Sequence, residues 1–465
     1  MSEIPDETIQ CCVTSPPYWG LRKYDGEQDS IWPQLSFAPG REPIRIDQCA
    51  HEWITTAPRR DRHASDIKNL NSKEATNGGN LGIELPSTNT CRLCGAWRGA
   101  YGLEPTPGMY VEHTIEILRE IRRVLRPDGV VFLNLGDSYA SGKGTCFNPG
   151  GGSNSLEGHA NLKEQSAYPL DRGNKSTLEA SNLKPKDLCL IPFRVAIAAQ
   201  EAGWWVRSVI IWNKPNPMPE SVKDRPTDAY EHIIMLTKSA RYFWDQEAVR
   251  EANIWIENRP SGMERQAKQY RERIKHNDPK YGGGGTGFQG HSGNFKADGT
   301  PLTNPNGRNL RNVWTFPTQP YAAAHFATFP EALPERCIKA ATPEYGCCDK
   351  CGKPYERIVK KSGGSIGKGS WVDHSNDKEQ GVSRHTGANN SGAAFYDYKT
   401  ETIGWKQSCK CADSKTVPSI VLDPFAGSGT SLLVAARLNR KSIGYELSKE
   451  YCRLIVERNK QGVIL

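Results

Sequence analysis

The chain has 465 residues, 37% of them hydrophobic, and a formal net charge of +8. That length exceeds one typical domain and allows a sizeable core, while a mean hydropathy of −0.63 and the lack of any apolar run of about eighteen residues exclude a membrane-spanning helix. The polar start MSEIPDETIQ does not read as a secretory signal, so none is expected, and the 14 Cys, clustered in part as CxxC and CxH pairs, point to metal in a reducing cytoplasm rather than to a disulfide scaffold.

Residues 9–18, IQCCVTSPPY, read as a short buried strand stopped by two prolines. Residues 20–105 are polar and rich in Gly, Asn and Pro. Apolar residues at helical spacing predict a helix over 111–125, RPDG (126–129) predicts a turn, and VVFLNLG (130–136) a buried strand. Residues 140–182 are Gly/Ser/Asn-rich and read as a mobile loop. A helix is expected over 188–203, ending at Gly203, then strands over 204–212 and 230–239.

Residues 246–311 hold 11 Lys/Arg against 7 Asp/Glu, with Trp255, Tyr270, Tyr281, Phe288 and Phe295 interspersed and a GGGG run at 282–285. This reads either as a solvated insertion or as a nucleic-acid contact. Residues 361–404 form a second low-complexity stretch. SIVLDPFAGSGT (419–430) is strand then Gly-rich turn, 431–439 its helix, 441–446 the next strand and 451–459 a closing helix. Alternating strands and helices mean a mostly parallel, doubly wound α/β sheet.

Two turns carry the chemistry. Asp423, Gly427 and Gly429 sit where an apolar strand meets a helix, so the backbone can approach a ligand closely. Glu446 follows at the end of the next strand, where nucleotide-binding folds place an acid on a ribose hydroxyl. Leu432 stands where the dinucleotide pattern has its third glycine, which favours a smaller nucleoside over a pyrophosphate cofactor. In TSPPYWG (14–20), Pro16 and Pro17 remove two N–H donors, leaving mostly acceptors: the Ser15 hydroxyl and local carbonyls. Such a turn suits an amine that donates its hydrogens, and Tyr18 and Trp19 offer faces for a planar ring.

Together, DPFAGSGT and TSPPYWG resemble the cofactor and catalytic motifs of the amino-directed DNA methyltransferases, which use S-adenosylmethionine. The catalytic motif precedes the cofactor motif, similar to the circularly permuted β-class order. The similarity extends to VLRPDGVVFLNLGDSY (124–139), to 212–239 and to AHFATFPEALPERCIKA (324–340), roughly half the chain in all. The resemblance implies a Rossmann-like methyltransferase sheet, with zinc-bound loop insertions as the remaining expectation. It implies that Asp423, Pro424, Phe425, Gly427, Gly429 and Thr430 form the cofactor pocket, with Glu446 on the ribose and His325 and Phe326 lining the methionine side. It assigns Ser15, Pro16, Pro17 and Tyr18 to catalysis: Ser15 and the Pro16 carbonyl accept hydrogen bonds from the target amine, and Tyr18 stacks on a flipped base.

The basic 246–311 segment lies where the family keeps its target-recognition region, so duplex DNA is the expected partner, with a cognate restriction endonuclease as a further one. SPPY resembles cytosine-N4 enzymes, and a leading Asp or Asn adenine-N6 enzymes. Ser15 therefore favours cytosine, with adenine the alternative. An RNA or protein-amide methyltransferase and an inactive zinc-stabilised DNA-binding protein rank lower. No Cys follows a proline, so carbon-five methylation is excluded.

Cys49, His51, Cys91 and Cys94 form one candidate zinc set, and Cys348, Cys351, Cys409 and Cys411 a second, in which Cys347 could replace Cys348. The expected domain layout is a catalytic half over 1–245 with a zinc insertion at 45–100, a DNA-contact insertion at 246–311, and a cofactor half over 312–465 with a zinc insertion at 346–412. Asp137 reads as a cofactor-facing acid or a turn residue, and Glu231–His232 as structural. The family's further strand beside the Glu446 strand has no clear candidate here: either GVIL (462–465) supplies a stub or the start lies upstream.

Overall fold

The computed structural model describes residues 1–20, 29–33, 49–53, 89–140, 146–147, 183–251, 307–319, 329–362 and 399–462. His325, Phe326, the five aromatic residues between 255 and 295, and nearly all of the 140–182 loop lie outside them.

Seven strands build the central sheet: β1 (Ile9–Thr14), β2 (Leu125–Leu135), β3 (Trp205–Asn213), β4 (Tyr230–Thr237), β5 (Val313–Thr315), β6 (Ile420–Asp423) and β7 (Lys441–Gly444). Their order is β7-β6-β1-β2-β4-β3-β5. Only β4 runs against the others, so the sheet is mixed but mostly parallel, as the alternating elements predicted. Its central strands are apolar on both faces because both are covered. Val131, Leu133, Leu135, Ile234 and Leu236 join the core formed with α1 (Pro107–Val124) and α2 (Ile191–Glu201). The alternate residues Val130, Phe132, Ile233 and Met235 are buried as well. Among the described residues, three more helices follow: α3 (Ala332–Ala341), α4 (Thr430–Arg437) and α5 (Lys449–Gly462).

Two local readings change. Helix α1 starts at Pro107, four residues ahead of the periodic stretch, because Thr106 Oγ1 accepts from Met109 N (3.2 Å) and proline is tolerated where an N–H has no helical partner. The RPDG turn is absorbed into β2 as a bulge. Ile9 pairs with Leu125 and Cys11 with Val130, so five residues of β2 span two of β1. Arg126 Nε closes the bulge on Asp128 Oδ1 (2.9 Å), and a side chain at Gly129 would meet Leu125 at 2.7 Å.

Residues group into two units. The first comprises Met1–Phe243, Asn312–Ile338 and Ser419–Leu465 and holds the sheet. The second comprises Trp244–Arg311 and Lys339–Pro418. It contains a hairpin, Tyr355–Ser362 with Lys399–Gln407, formed by the two ends of the low-complexity stretch. The Arg357 guanidinium binds Asp245 and Glu344 (2.7 Å each), and Thr400 Oγ1 donates to Glu247 (2.9 Å). Glu251 pairs with Arg308 and Arg311 (2.8 Å each). The residues that bracket the basic insertion thus group with the second cysteine set.

In the first unit, the segment after Cys94 supports the Pro-Pro turn. Gly20 N donates to Gly102 O (2.8 Å), Trp19 Nε1 to Glu104 O (2.9 Å) and Tyr110 Oη to Pro17 O (3.0 Å). Glu104 is fully buried, accepting from Gly102 N and pairing with His113 Nδ1 (2.9 Å each). Glu104→Ala would strand two buried donors, so it should cost about 3–5 kcal/mol, read as a lower denaturant midpoint. A loss below about 1 kcal/mol would mean that this pair does not hold the segment.

Candidate functional site

The Gly-rich turn is built by β6 and closed by the residues after β7. Tyr445 N donates to Asp423 O (3.0 Å) and Ala426 N to Tyr445 O (2.9 Å). Glu446 Oε2 accepts from Gly427 N (2.9 Å) and Oε1 from Ser448 N (2.8 Å). Gly429 caps α4, and Arg458 from α5 reaches Ser428 O (3.2 Å) and Thr430 Oγ1 (3.0 Å). Asp423, only 1% exposed, accepts from Thr14 Oγ1 (2.7 Å), Phe425 N (3.1 Å) and Ser431 Oγ. The Phe425 ring stacks on Tyr101 at 5.7 Å. Asp423, Phe425, Gly427, Gly429, Thr430 and Glu446 are thus brought into one turn. His325 and Phe326 lie outside the described residues.

The Pro-Pro turn leaves the end of β1. Because β1 and β6 are parallel neighbours, Thr14 and Asp423 bond across the two strand ends, and both turns emerge at the same edge of the sheet. Ser15 Oγ donates to Tyr18 Oη (3.1 Å), and Tyr18 Oη donates to Glu231 Oε2 (2.6 Å). Asn134 Nδ2 donates to Tyr18 Oη (2.8 Å) and Glu231 Oε2 (2.7 Å), and lies 3.5 Å from Ser15 Oγ. Lys214 Nζ pairs with Glu231 Oε1 and lies 4.8 Å from the Trp212 ring centroid. The Tyr18 ring passes over Gly136, where an added Cβ would come within 2.6 Å of it.

The sequence does not single out Asn134 or Lys214, and Glu231, next to His232, reads there as structural. Glu231 looked like a strand-start residue. Antiparallel pairing sets Asn134 opposite Ile233, two residues from Glu231 on the same face, and sets Glu231 opposite Trp212. The amphipathic break in VVFLNLG, an Asn in a buried run, was the one available signal. Its neighbour His232 packs edge-on against Phe193 (4.9 Å) and Tyr230 (5.1 Å). Asp137 Oδ1 accepts from Ser138 N (2.8 Å) and Ile191 N (3.1 Å), so it caps α2, and burial raises its carboxyl to about 6.

Both cysteine sets converge. In each, the four ligand atoms lie within 4.8 Å of one another: Cys49, His51, Cys91 and Cys94 in the first, Cys348, Cys351, Cys409 and Cys411 in the second. Cys348 rather than Cys347 supplies the sulfur. Gly95 N bonds Cys91 O (2.9 Å) and Gly352 N bonds Cys348 O (2.8 Å), both glycines at positive φ (73° and 68°), which turns each CxxCG sharply back. Cys49 and Cys91 sulfurs are 3.8 Å apart, and Cys94 Sγ is 3.4 Å from His51 Nδ1.

A DNA methylase family model matches residues 9–348 and 413–457. The chain belongs to this family of amino-directed DNA methyltransferases. Among curated relatives, the type II methyltransferase M.XycI of Xanthomonas campestris pv. cyanopsidis is 28% identical over 98% of this chain and 83% of its own. M.Cfr9I of Citrobacter freundii is 31% identical over 74% of this chain and 69% of its own. A solved PvuII DNA methyltransferase (cytosine-N4-specific) aligns over 98% of this chain and 81% of its own, at 14% identity and a TM-score of 0.39.

In this methyltransferase, burial raises the Asp423 carboxyl to about 6, against the lowering pull of its hydrogen bonds from Ser431, Thr14 and Phe425. An acid whose folded value exceeds its unfolded one of about 3.9 favours folding most below about pH 4, and that contribution is lost as pH rises through about 6. Asp423→Asn, which cannot ionise, should therefore gain thermal stability over the parent as pH goes from 4 to 7, by on the order of 3 kcal/mol. Equal melting-temperature differences at both pH values would refute this.

Proposed function

We propose that this methyltransferase transfers a methyl group from S-adenosylmethionine to the N4 amine of a flipped cytosine in duplex DNA. The observation that carries this reading is the placement of Ser15. It is a neutral hydroxyl rather than an Asp or Asn, at the head of an acceptor-rich turn next to the strand end that bears Asp423. Asp423, Pro424, Phe425, Gly427, Gly429 and Thr430 would hold the cofactor, Glu446 its ribose, and His325 and Phe326 its methionine side. The cofactor supplies an electrophilic methyl group. Ser15 Oγ and the Pro16 carbonyl would accept hydrogen bonds from the amine and draw its lone pair out of conjugation; as the N–CH3 bond formed, the S–CH3 bond would break to leave a neutral thioether, and the amine would give up one proton to water. Pro17 stiffens the turn, and Tyr18 offers its ring to the base.

The pairing of N-terminal β1 with C-terminal β6 supports a circularly permuted order of motifs. Residues 246–311 serve as the target-recognition region in this reading. The type II names of the relatives support a cytoplasmic restriction-modification setting with a cognate endonuclease.

We further propose one structural zinc in each cysteine set. Tetrahedral Zn–S bonds of about 2.3 Å place two sulfurs about 3.8 Å apart, which matches Cys49 and Cys91. Four protein ligands leave no open position for chemistry.

Incubation with labelled S-adenosylmethionine and mixed-sequence duplex DNA, followed by nucleoside mass spectrometry, should yield N4-methylcytosine. N6-methyladenine would overturn the base assignment, and label found only in RNA or protein would overturn the DNA substrate. Elemental analysis should give two zinc ions per chain, and stripping them should lower the melting temperature. Unchanged melting after complete removal would sink the structural role.

A further inference from the structure

A carboxylate only accepts hydrogen bonds, whereas a serine or tyrosine hydroxyl can both donate and accept. Glu231 Oε1 is taken by the Lys214 ammonium, and Oε2 accepts from Tyr18 Oη (2.6 Å) and Asn134 Nδ2 (2.7 Å). Tyr18 has one hydroxyl hydrogen, and Glu231 claims it. The Tyr18 oxygen is then an acceptor toward its other neighbours, Asn134 Nδ2 (2.8 Å) and Ser15 Oγ (3.1 Å). The Ser15 hydrogen is in turn committed to Tyr18. What Ser15 can still present to an incoming group is oxygen lone pairs.

That polarity matters for an amine. Its nitrogen brings hydrogens, and a serine hydrogen turned toward it would oppose them. An Asp or Asn at position 15 would offer a carboxylate or carbonyl oxygen without help, but a serine needs its hydrogen directed elsewhere. We propose that Glu231, held by Lys214 and Asn134, is a positioning residue: through Tyr18 it fixes Ser15 as a hydrogen-bond acceptor for the target amine. The proposal rests on the reading of Ser15 and Pro16 as the reacting turn. It adds a second duty to Tyr18, whose hydroxyl sets direction while the proposed function assigns its ring to the base. Asn134, 2% exposed, presents donors to both Tyr18 and Glu231 and so resists reversal of the chain.

The test is steady-state methylation of duplex DNA by the full chain and by Glu231→Gln, Tyr18→Phe, their double variant and Ser15→Ala. Melting temperature and S-adenosylmethionine affinity are measured alongside. In Glu231→Gln, Lys214 keeps the amide oxygen, so the amide N–H faces Tyr18 and reverses the chain. Tyr18→Phe keeps the ring and the fold but removes the link. Each should lower kcat on the order of 10²-fold, with cofactor affinity and melting temperature unchanged. Because the residues act as one unit, the double variant should be no worse than the worse single one. A kcat within about twofold of the parent for either single variant, losses that multiply, or losses confined to stability or cofactor affinity would overturn the proposal. Ser15→Ala separates the two readings. If Ser15→Ala is inactive while Glu231→Gln and Tyr18→Phe stay active, the polarity chain alone is wrong; full activity of Ser15→Ala would overturn the reacting turn itself.

Discussion

A buried 2.7 Å hydrogen bond from Thr14 to Asp423 joins residues 409 apart in sequence, and the site stands on it. It lies at the carboxyl ends of two parallel strands, β1 and β6, whose register pairs Cys11 with Val421 and Cys12 with Leu422. In open α/β sheets the crevice at those strand ends is where ligands bind, because helix N-termini and loop amides converge there. Bringing together β1 and β6, strands from opposite ends of the chain, costs loop-closure entropy and postpones the contact in folding. Asp423 bears a further cost. Its carboxyl is buried, and three local donors hold it in place of water.

The Pro-Pro turn cannot hold itself. Two prolines strip it of N–H donors, so outside groups fix it: Tyr110 on the Pro17 carbonyl, Gly102 on Gly20, and Glu104 on Trp19. These groups follow directly on the first cysteine set. From Cys91 and Cys94 the chain passes into Trp97–Gly99 and then to Tyr101, whose ring stacks on Tyr110 (5.0 Å) and Phe425 (5.7 Å). Trp32 and Trp97 stack on His113, the buried partner of Glu104. A metal-sized cluster, an aromatic stack and one buried acid–imidazole pair therefore stiffen the same segment. Small errors in that segment would pass directly into the placement of Ser15.

Polar groups at the mouth of the sheet follow a different logic. Asn134 and Glu231 are strand residues on one face of the sheet, because Asn134 pairs opposite Ile233, two residues from Glu231, whereas Ser15 and Tyr18 arrive from a loop. A carboxylate at one end, with Lys214 on its other oxygen, only accepts hydrogen bonds and so gives the chain of hydroxyls a direction.

What the sequence determined by itself was whatever depends on near neighbours along the chain. Apolar runs such as CCV, VVFLNL and IVL specify buried strands, GSGT after a strand makes a tight turn, and CxxCG makes a knuckle, all from local sterics and burial. The assignment of Cys348 over Cys347, the conversion of RPDG from turn to bulge, and the hairpin made from the ends of the 361–404 stretch needed a partner strand to decide them. Glu231 is the clearest case. Its neighbour His232 draws attention to it in the sequence but does not give it a role, and it becomes part of the site only when Tyr18, 213 residues away, donates to it. A polar side chain acquires its role from the group it meets, and in a mostly parallel sheet that group is set by strand order, which only the tertiary structure decides.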